Sequence, residues 1–131
     1  MVILDTNILI DHLRRAKKEE SYLENIVKGY PKETLAISMV SVQELYEGKS
    51  TKEKNKEMLV LTLLTSFKIL PYTYDSACHA GEIARDLPRP IEFPDAVIAA
   101  TVLENDCQLA TLNKKDFRGI KGLEFITFKN P

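Results

Sequence analysis

Met1-Val2-Ile3-Leu4-Asp5 decides the fold. Four apolar residues without polar alternation, stopped by an acid, fit a short strand covered on both faces, as in a parallel sheet. The period then changes. Ile8, Leu9 and Leu13 fall on one side of a helix, with Arg14, Arg15, Lys17 and Lys18 beyond. A strand running straight into a helix is the opening of an α/β chain.

Outward from that stretch the alternation repeats. Residues 21–28 read as a helix broken by Gly29-Tyr30-Pro31. Leu35-Ala36-Ile37-Ser38 is a second strand. Residues 41–47 form a helix ending at Gly48, and residues 54–66 a longer one with Met58, Leu59, Leu61, Leu63 and Leu64 on a broad apolar face. Residues 67–70 are a third strand closed by Pro71, and residues 75–87 are helical. Asp95 to Glu104 is the clearest helix, with Pro94 at its start, where proline is favoured. Residues 108–111 are a fourth strand, 113–117 a turn or single helical turn, and 123–128 a fifth strand. Strands alternating with helices predict a three-layer α/β/α sandwich around a parallel sheet of about five strands. The length of 131 residues predicts one domain over 1–131.

Composition narrows the function. The chain carries 18 basic and 19 acidic residues. That excludes a polybasic coat for nucleic acid and leaves room for local basic patches. The longest apolar stretch, residues 58–64, contains Thr62 and is far short of the ~20 residues that span a bilayer. Asp5 and Asp11 spoil an amino-terminal leader. Two cysteines are too few for a disulfide framework. A cytoplasmic protein without a membrane partner is expected.

Ligands of parallel sheets bind outside the carboxyl ends of the strands. Acids recur at those ends: Asp5 after the first strand, Glu44 in the helix after the second, Asp95 opening the long helix, and Asp116 after the fourth. Gathered on one rim, four carboxylates repel one another until some are protonated or a cation sits among them. An all-oxygen set favours Mg²⁺ or Mn²⁺, and no His/Cys spacing for zinc competes. Such a site suits phosphodiester hydrolysis. Each acid also has a purely structural reading. Asp5 and Asp95 fit helix starts, Ser41-Val42-Gln43-Glu44 matches a capping box, and Asp116 fits a solvated loop. Only their joint placement favours a site.

With these residues in place the sequence resembles the PIN domain family, and within it the ribonuclease toxins of VapBC toxin–antitoxin pairs. The resemblance rests on Leu4-Asp5-Thr6-Asn7-Ile8-Leu9-Ile10-Asp11, Ser41-Val42-Gln43-Glu44-Leu45, Pro94-Asp95-Ala96-Val97-Ile98-Ala99-Ala100 and Leu109-Ala110-Thr111-Leu112-Asn113-Lys114-Lys115-Asp116-Phe117, in the family's order. It implies Mg²⁺- or Mn²⁺-dependent RNA cleavage, a cognate antitoxin and a homodimer. Asp5 and Asp95 would be the principal metal ligands, and Glu44 and Asp116 would complete the pocket. Thr6, Asn7, Thr111 and Asn113 would orient ligands or water. Two departures stand out. Residues 85–93 lack the glycine common before the Pro-Asp helix and carry two extra prolines, Pro88 and Pro90. Asn113 stands where some relatives have another aspartate, which implies one ion rather than two.

Other readings fit less well. A haloacid-dehalogenase-type phosphatase needs Asp-x-Asp after the first strand, where this chain has Asn7. A phosphorelay receiver needs an aspartate after the third, where the chain reads Pro71-Tyr72-Thr73-Tyr74. A non-catalytic PIN-like binding module and a housekeeping RNA-processing nuclease both stay open. Arg14, Arg15, Lys17 and Lys18 read as a solvated face, whereas Lys114, Lys115, Arg118 and Lys121 flank Asp116 and read as a phosphate-tracking rim. Tyr46 and Tyr72 read as core residues, Cys78 and Cys107 as small buried hydrophobes, and His12 and His79 as lone histidines.

Overall fold

The first strand, β1 (Val2–Leu4), lies in the middle of the molecule with all three residues buried. The computed structural model describes residues 1–15 and 19–131. After β1 come α1 (Thr6–Arg14), α2 (Tyr22–Gly29), β2 (Leu35–Ser38), α3 (Met39–Glu47), α4 (Lys54–Thr65), β3 (Lys68–Leu70), α5 (Tyr74–Asp86), α6 (Phe93–Glu104) and β4 (Gln108–Ala110), with short 3-10 turns at Lys32–Thr34, Lys49–Lys52 and Lys114–Phe117. The sheet runs β3-β2-β1-β4, and every pairing is parallel.

Strand alternation sorts the core onto two faces. Val2 and Leu4 of β1 and Leu35 and Ile37 of β2 pack with Ile8 and Leu9 of α1, Leu23 and Ile26 of α2, and Val60, Leu63 and Leu64 of α4. Ile3, Ala36 and Leu109 point the other way, onto α6. That helix is buried continuously from Ala96 to Val102, which fits the lack of polar residues between Asp95 and Thr101. Each fully buried Leu or Ile contributes roughly 1.5–3 kcal/mol of transfer free energy. Helices therefore cover both faces of a parallel sheet, as the sequence predicts. Among the described residues no helix is long and apolar enough to cross a membrane.

The predicted fifth strand is reduced to one parallel bridge, Leu109 with Phe125. Leu109 N–H donates to Glu124 O (2.8 Å) and Ile126 N–H to Leu109 O (3.0 Å). β4 itself has three residues, so the edge offers little ladder to extend.

The second correction concerns α3. Its cap is Ser38, whose hydroxyl accepts from Val40 N–H (3.3 Å), so the helix starts at Met39 and not at Ser41. The serine half of a capping box is found elsewhere, at Ser21-Tyr22-Leu23-Glu24, where Ser21 Oγ accepts from Glu24 N–H (3.2 Å) and donates to its carboxylate (3.3 Å). Ser41 and Glu44 therefore sit inside α3, free of any capping duty.

Four further expectations change. Tyr46 and Tyr72 are exposed, Tyr46 donating to Glu57 (2.9 Å) and Tyr72 packing edge-on to Phe93. Cys78 is exposed and only Cys107 is buried. His12 bonds Ser21 Oγ (2.7 Å), and His79 Nδ1 lies 3.9 Å from Glu104, so both histidines have partners. Arg15 pairs with Asp11 (3.0 Å) and covers the Tyr22 ring; Lys17 and Lys18 lie outside the described residues.

Candidate active site

The register of β1 on β4 pairs Leu4 with Ala110, so the next residues, Asp5 and Thr111, emerge side by side at the carboxyl edge. Asp5 N–H extends the ladder to Ala110 O (2.9 Å). The Asp5 side chain is only 5% exposed. Its Oδ1 accepts from Thr6 N–H and its Oδ2 from the Thr111 hydroxyl, both at 2.7 Å.

One residue on, Thr6 turns toward α3. Its hydroxyl donates to Glu44 Oε1 (2.6 Å) and lies 2.7 Å from Ser41 Oγ. With its single proton given to Glu44, Thr6 Oγ1 accepts from Ser41. Ser41 is fully buried and belongs to this network. Its S-x-x-E spacing disguised it, although a serine one helical turn before Glu44 on the same face is the signal that was there.

Asn7 and Thr111 brace the opposite side. Asn7 Nδ2 donates weakly to Thr111 Oγ1 (3.4 Å), and Leu112 N–H donates to Asn7 Oδ1 (3.3 Å). Asn113 N–H donates to Thr111 Oγ1 (3.0 Å). The Asn113 side chain makes no hydrogen bond among the described residues; its backbone carbonyl accepts from Asp116 N–H (3.2 Å) at the start of the turn that carries Asp116.

Asp95 sits in the first turn of α6, partly buried, and no donor reaches its carboxylate among the described residues. Burial, then the fields of Asp5, Asp116, Glu44 and Glu92, push its pKa up to about 7. Burial is also the main reason that Asp5 rises to about 6, with Glu44 and Asp116 adding to it and the Thr111 and Thr6 hydrogen bonds opposing. Glu44 is raised chiefly by burial, against the Thr6 hydrogen bond. Asp5 thus feels Glu44 and Asp116, and Asp95 feels Asp5, Asp116 and Glu44. Among the described residues none of the four acids has an ion-pair partner.

A charge deficit of this kind fits a hard cation. No three metal-ligating side chains among the described residues stand close enough to cage an ion alone. The donors on the rim are carboxylate oxygens, the type that hard divalent cations take. Lys114, Lys115, Arg118 and Lys121 are exposed beside Asp116 or just beyond it, Lys114 lying over the Phe125 ring.

Comparison with known proteins agrees with this geometry. The PIN domain family model matches residues 2–123. The chain is 40% identical over 116 residues to Ribonuclease VapC10 of Mycobacterium tuberculosis, covering 86% of this chain and 83% of that protein. It is 31% identical over 134 residues to Ribonuclease VapC1 of Rickettsia felis, covering 96% and 95%. Among solved structures it is similar to VapBC2 from Rickettsia felis bound to a DNA fragment from their promoter, with a TM-score of 0.81, 26% identity and coverage of 95% and 96%. It is also similar to a toxin–antitoxin complex from Klebsiella pneumoniae, with a TM-score of 0.76, 28% identity and coverage of 94% and 95%. A family-model match over residues 2–123, with relatives 40% and 31% identical along most of their length, makes this protein a member of the PIN domain family.

Proposed function

We propose that this chain is a single-domain endoribonuclease that hydrolyses RNA phosphodiester bonds with Mg²⁺ or Mn²⁺. In this reading it acts in the cytoplasm as the toxin of a toxin–antitoxin pair, restrained by a cognate antitoxin. The observation that carries the proposal is the rim of Asp5, Glu44, Asp95 and Asp116, buried enough to raise three of their pKa values and without an ion-pair partner among the described residues. The ribonuclease names of its relatives and the VapBC complexes among its structural neighbours support the substrate and the partner.

Asp5 and Asp95 would hold the ion. A bound Mg²⁺ lowers the pKa of a coordinated water and offsets charge on the phosphate. The chain's own residues prepare the rest. Thr111 and the Thr6 N–H favour the ionised form of Asp5. Thr6 occupies Glu44 Oε1, which leaves Oε2 as the open acceptor for the attacking water's proton. Asp116 closes the fourth side, and the neighbouring lysines attract the RNA backbone.

RNA incubated with the purified chain and Mg²⁺ or Mn²⁺ should be cut, and EDTA should stop it. Undiminished cleavage by Asp5→Asn would overturn the mechanism. Growth arrest on expression, relieved by the product of a neighbouring gene, would separate a toxin from a housekeeping nuclease.

Thr111→Val removes the hydroxyl that lowers the Asp5 pKa. Ionised Asp5 then requires higher pH. The acid limb of the cleavage profile should move alkaline, with activity lost most at pH 6–7 and partly regained above 8, while Thr111→Ser keeps the original profile. An unmoved limb in Thr111→Val would remove Thr111 from this role.

A homodimer is also part of the proposal. On α4, Val60, Leu63 and Leu64 face the core while Met58 and Leu59 are each 59% exposed and Leu61 39%. Sedimentation at micromolar concentration should give twice the monomer mass; a monomer alone rejects the dimer.

A further inference from the structure

Residues 87–92 link α5 to α6. Arg89 projects from that linker. Its Nη2 donates to Asp116 O (3.2 Å) and Arg118 O (2.5 Å), and its Nη1 to Pro90 O (3.1 Å). Among the described residues it forms no ion pair with a carboxylate. Its charge is spent on backbone carbonyls instead.

Those carbonyls lie at the end of the 3-10 turn Lys114–Phe117, the turn that carries Asp116. Outward carbonyls at a helical terminus are partly negative and attract cations. A planar guanidinium serves two carbonyls at fixed spacing, which a lysine ammonium does less rigidly. The linker touches the same segment a second time. Gly119 has a φ of +82°, and a Cβ placed there would meet Leu87 Cδ2 at 3.4 Å. Between the two contacts Phe117 is 1% exposed in the core beneath α6.

The linker that Arg89 anchors runs directly into the first turn of α6, where Asp95 stands. One side chain therefore ties the segment leading to Asp95 to the segment bearing Asp116. Resting on the nuclease reading above, we infer that Arg89 is a positioning residue that fixes Asp116 relative to Asp95. It acts through the Asp116 turn and does not touch RNA.

The test is Mn²⁺ binding by calorimetry without RNA, beside single-turnover cleavage, for the wild type, Arg89→Ala, Arg89→Lys, Asp116→Asn and the Arg89→Ala/Asp116→Asn double variant. Losing an outer support of a metal site costs roughly 10–100-fold in affinity. Arg89→Ala should weaken Mn²⁺ binding by about that factor, with KM for RNA little changed and cleavage regained at high Mn²⁺. Arg89→Lys should regain less than a tenth of the loss. In the Asp116→Asn background Arg89→Ala should add almost nothing. Wild-type Mn²⁺ affinity in Arg89→Ala, or a full additional loss in the double variant, overturns the inference. So does a raised KM with steeper salt dependence at unchanged Mn²⁺ affinity, because that marks a phosphate contact. If Arg89→Ala is unfolded at the assay temperature, Arg89→Lys decides by the same readouts. A wild type that neither binds Mn²⁺ nor cleaves RNA removes the nuclease reading itself, whereas a normal wild type with a normal Arg89→Ala removes only the role of Arg89.

Discussion

Asp95→Asn should abolish RNA cleavage and at the same time make the metal-free protein more stable at pH 8. The first effect follows from the proposed role of Asp95 as an ion ligand and should exceed the roughly 10–100-fold cost of losing an outer partner. The second follows from proton linkage. The carboxyl titrates at about 7 in the folded chain against an ordinary 3.8, so between those values the folded state binds the extra proton. Stability then falls as pH rises through that window, and the penalty is complete above about 7. A shift of that size corresponds to ~4 kcal/mol as a ceiling. Partial exposure and screening reduce it to about 1–2 kcal/mol. Asparagine cannot ionise, so the variant should match the wild type near pH 4 and melt roughly 3–8 °C higher at pH 8 in EDTA. Asp5→Asn is the less clean experiment, since an amide would present a donor to the Thr111 hydroxyl that now donates to Asp5. Equal melting of wild type and Asp95→Asn at pH 8 would show that the carboxylate bears no electrostatic strain.

Much of this site was legible because strand ends and helix starts are local features. The unbroken run Val2-Ile3-Leu4 identifies a strand covered on both faces, and Asp5 must follow it at the carboxyl edge. Pro94 places Asp95 in a first helical turn. What sequence could not fix were the meetings of segments remote in the chain. Asp5 and Thr111 are 106 residues apart and meet only through the register of β1 on β4. Ser41 read as a cap because S-x-x-E is the same string whether a helix starts there or three residues earlier, at Ser38. Arg89 lies in the stretch 85–93, where only the prolines stood out, and its role rests on carbonyls 27 and 29 residues away. The fifth strand failed for a related reason: apolar alternation reports burial, but ladder length is set by the partner, and β4 is three residues long.

Adding Mn²⁺ or Mg²⁺ to the stripped protein should raise its melting temperature, and EDTA should reverse the gain and stop cleavage together. An ion that binds only the folded chain stabilises it by about 2.7 kcal/mol at a hundred times its Kd. For a chain of this length that is of the order of 10 °C. The pH dependence distinguishes this site from a nonspecific effect of cations. Asp5 and Asp95 titrate at about 6 and about 7, so near neutrality binding an ion must displace protons. The stabilisation should therefore be small at pH 5, climb steeply between 6 and 7 and level off by 8, opposite in sign to the metal-free trend. Asp95→Asn should erase the ion-dependent gain and remove the larger part of the metal-free trend, leaving the smaller fall that Asp5 contributes. An acidic rim kept only to cap strands and helices would show no ion-dependent melting, and its charges would gain nothing from staying unpaired. Burial without a counter-charge is costly to a fold, and a displaceable ion with a matching pH profile is the account that explains why this one retains it.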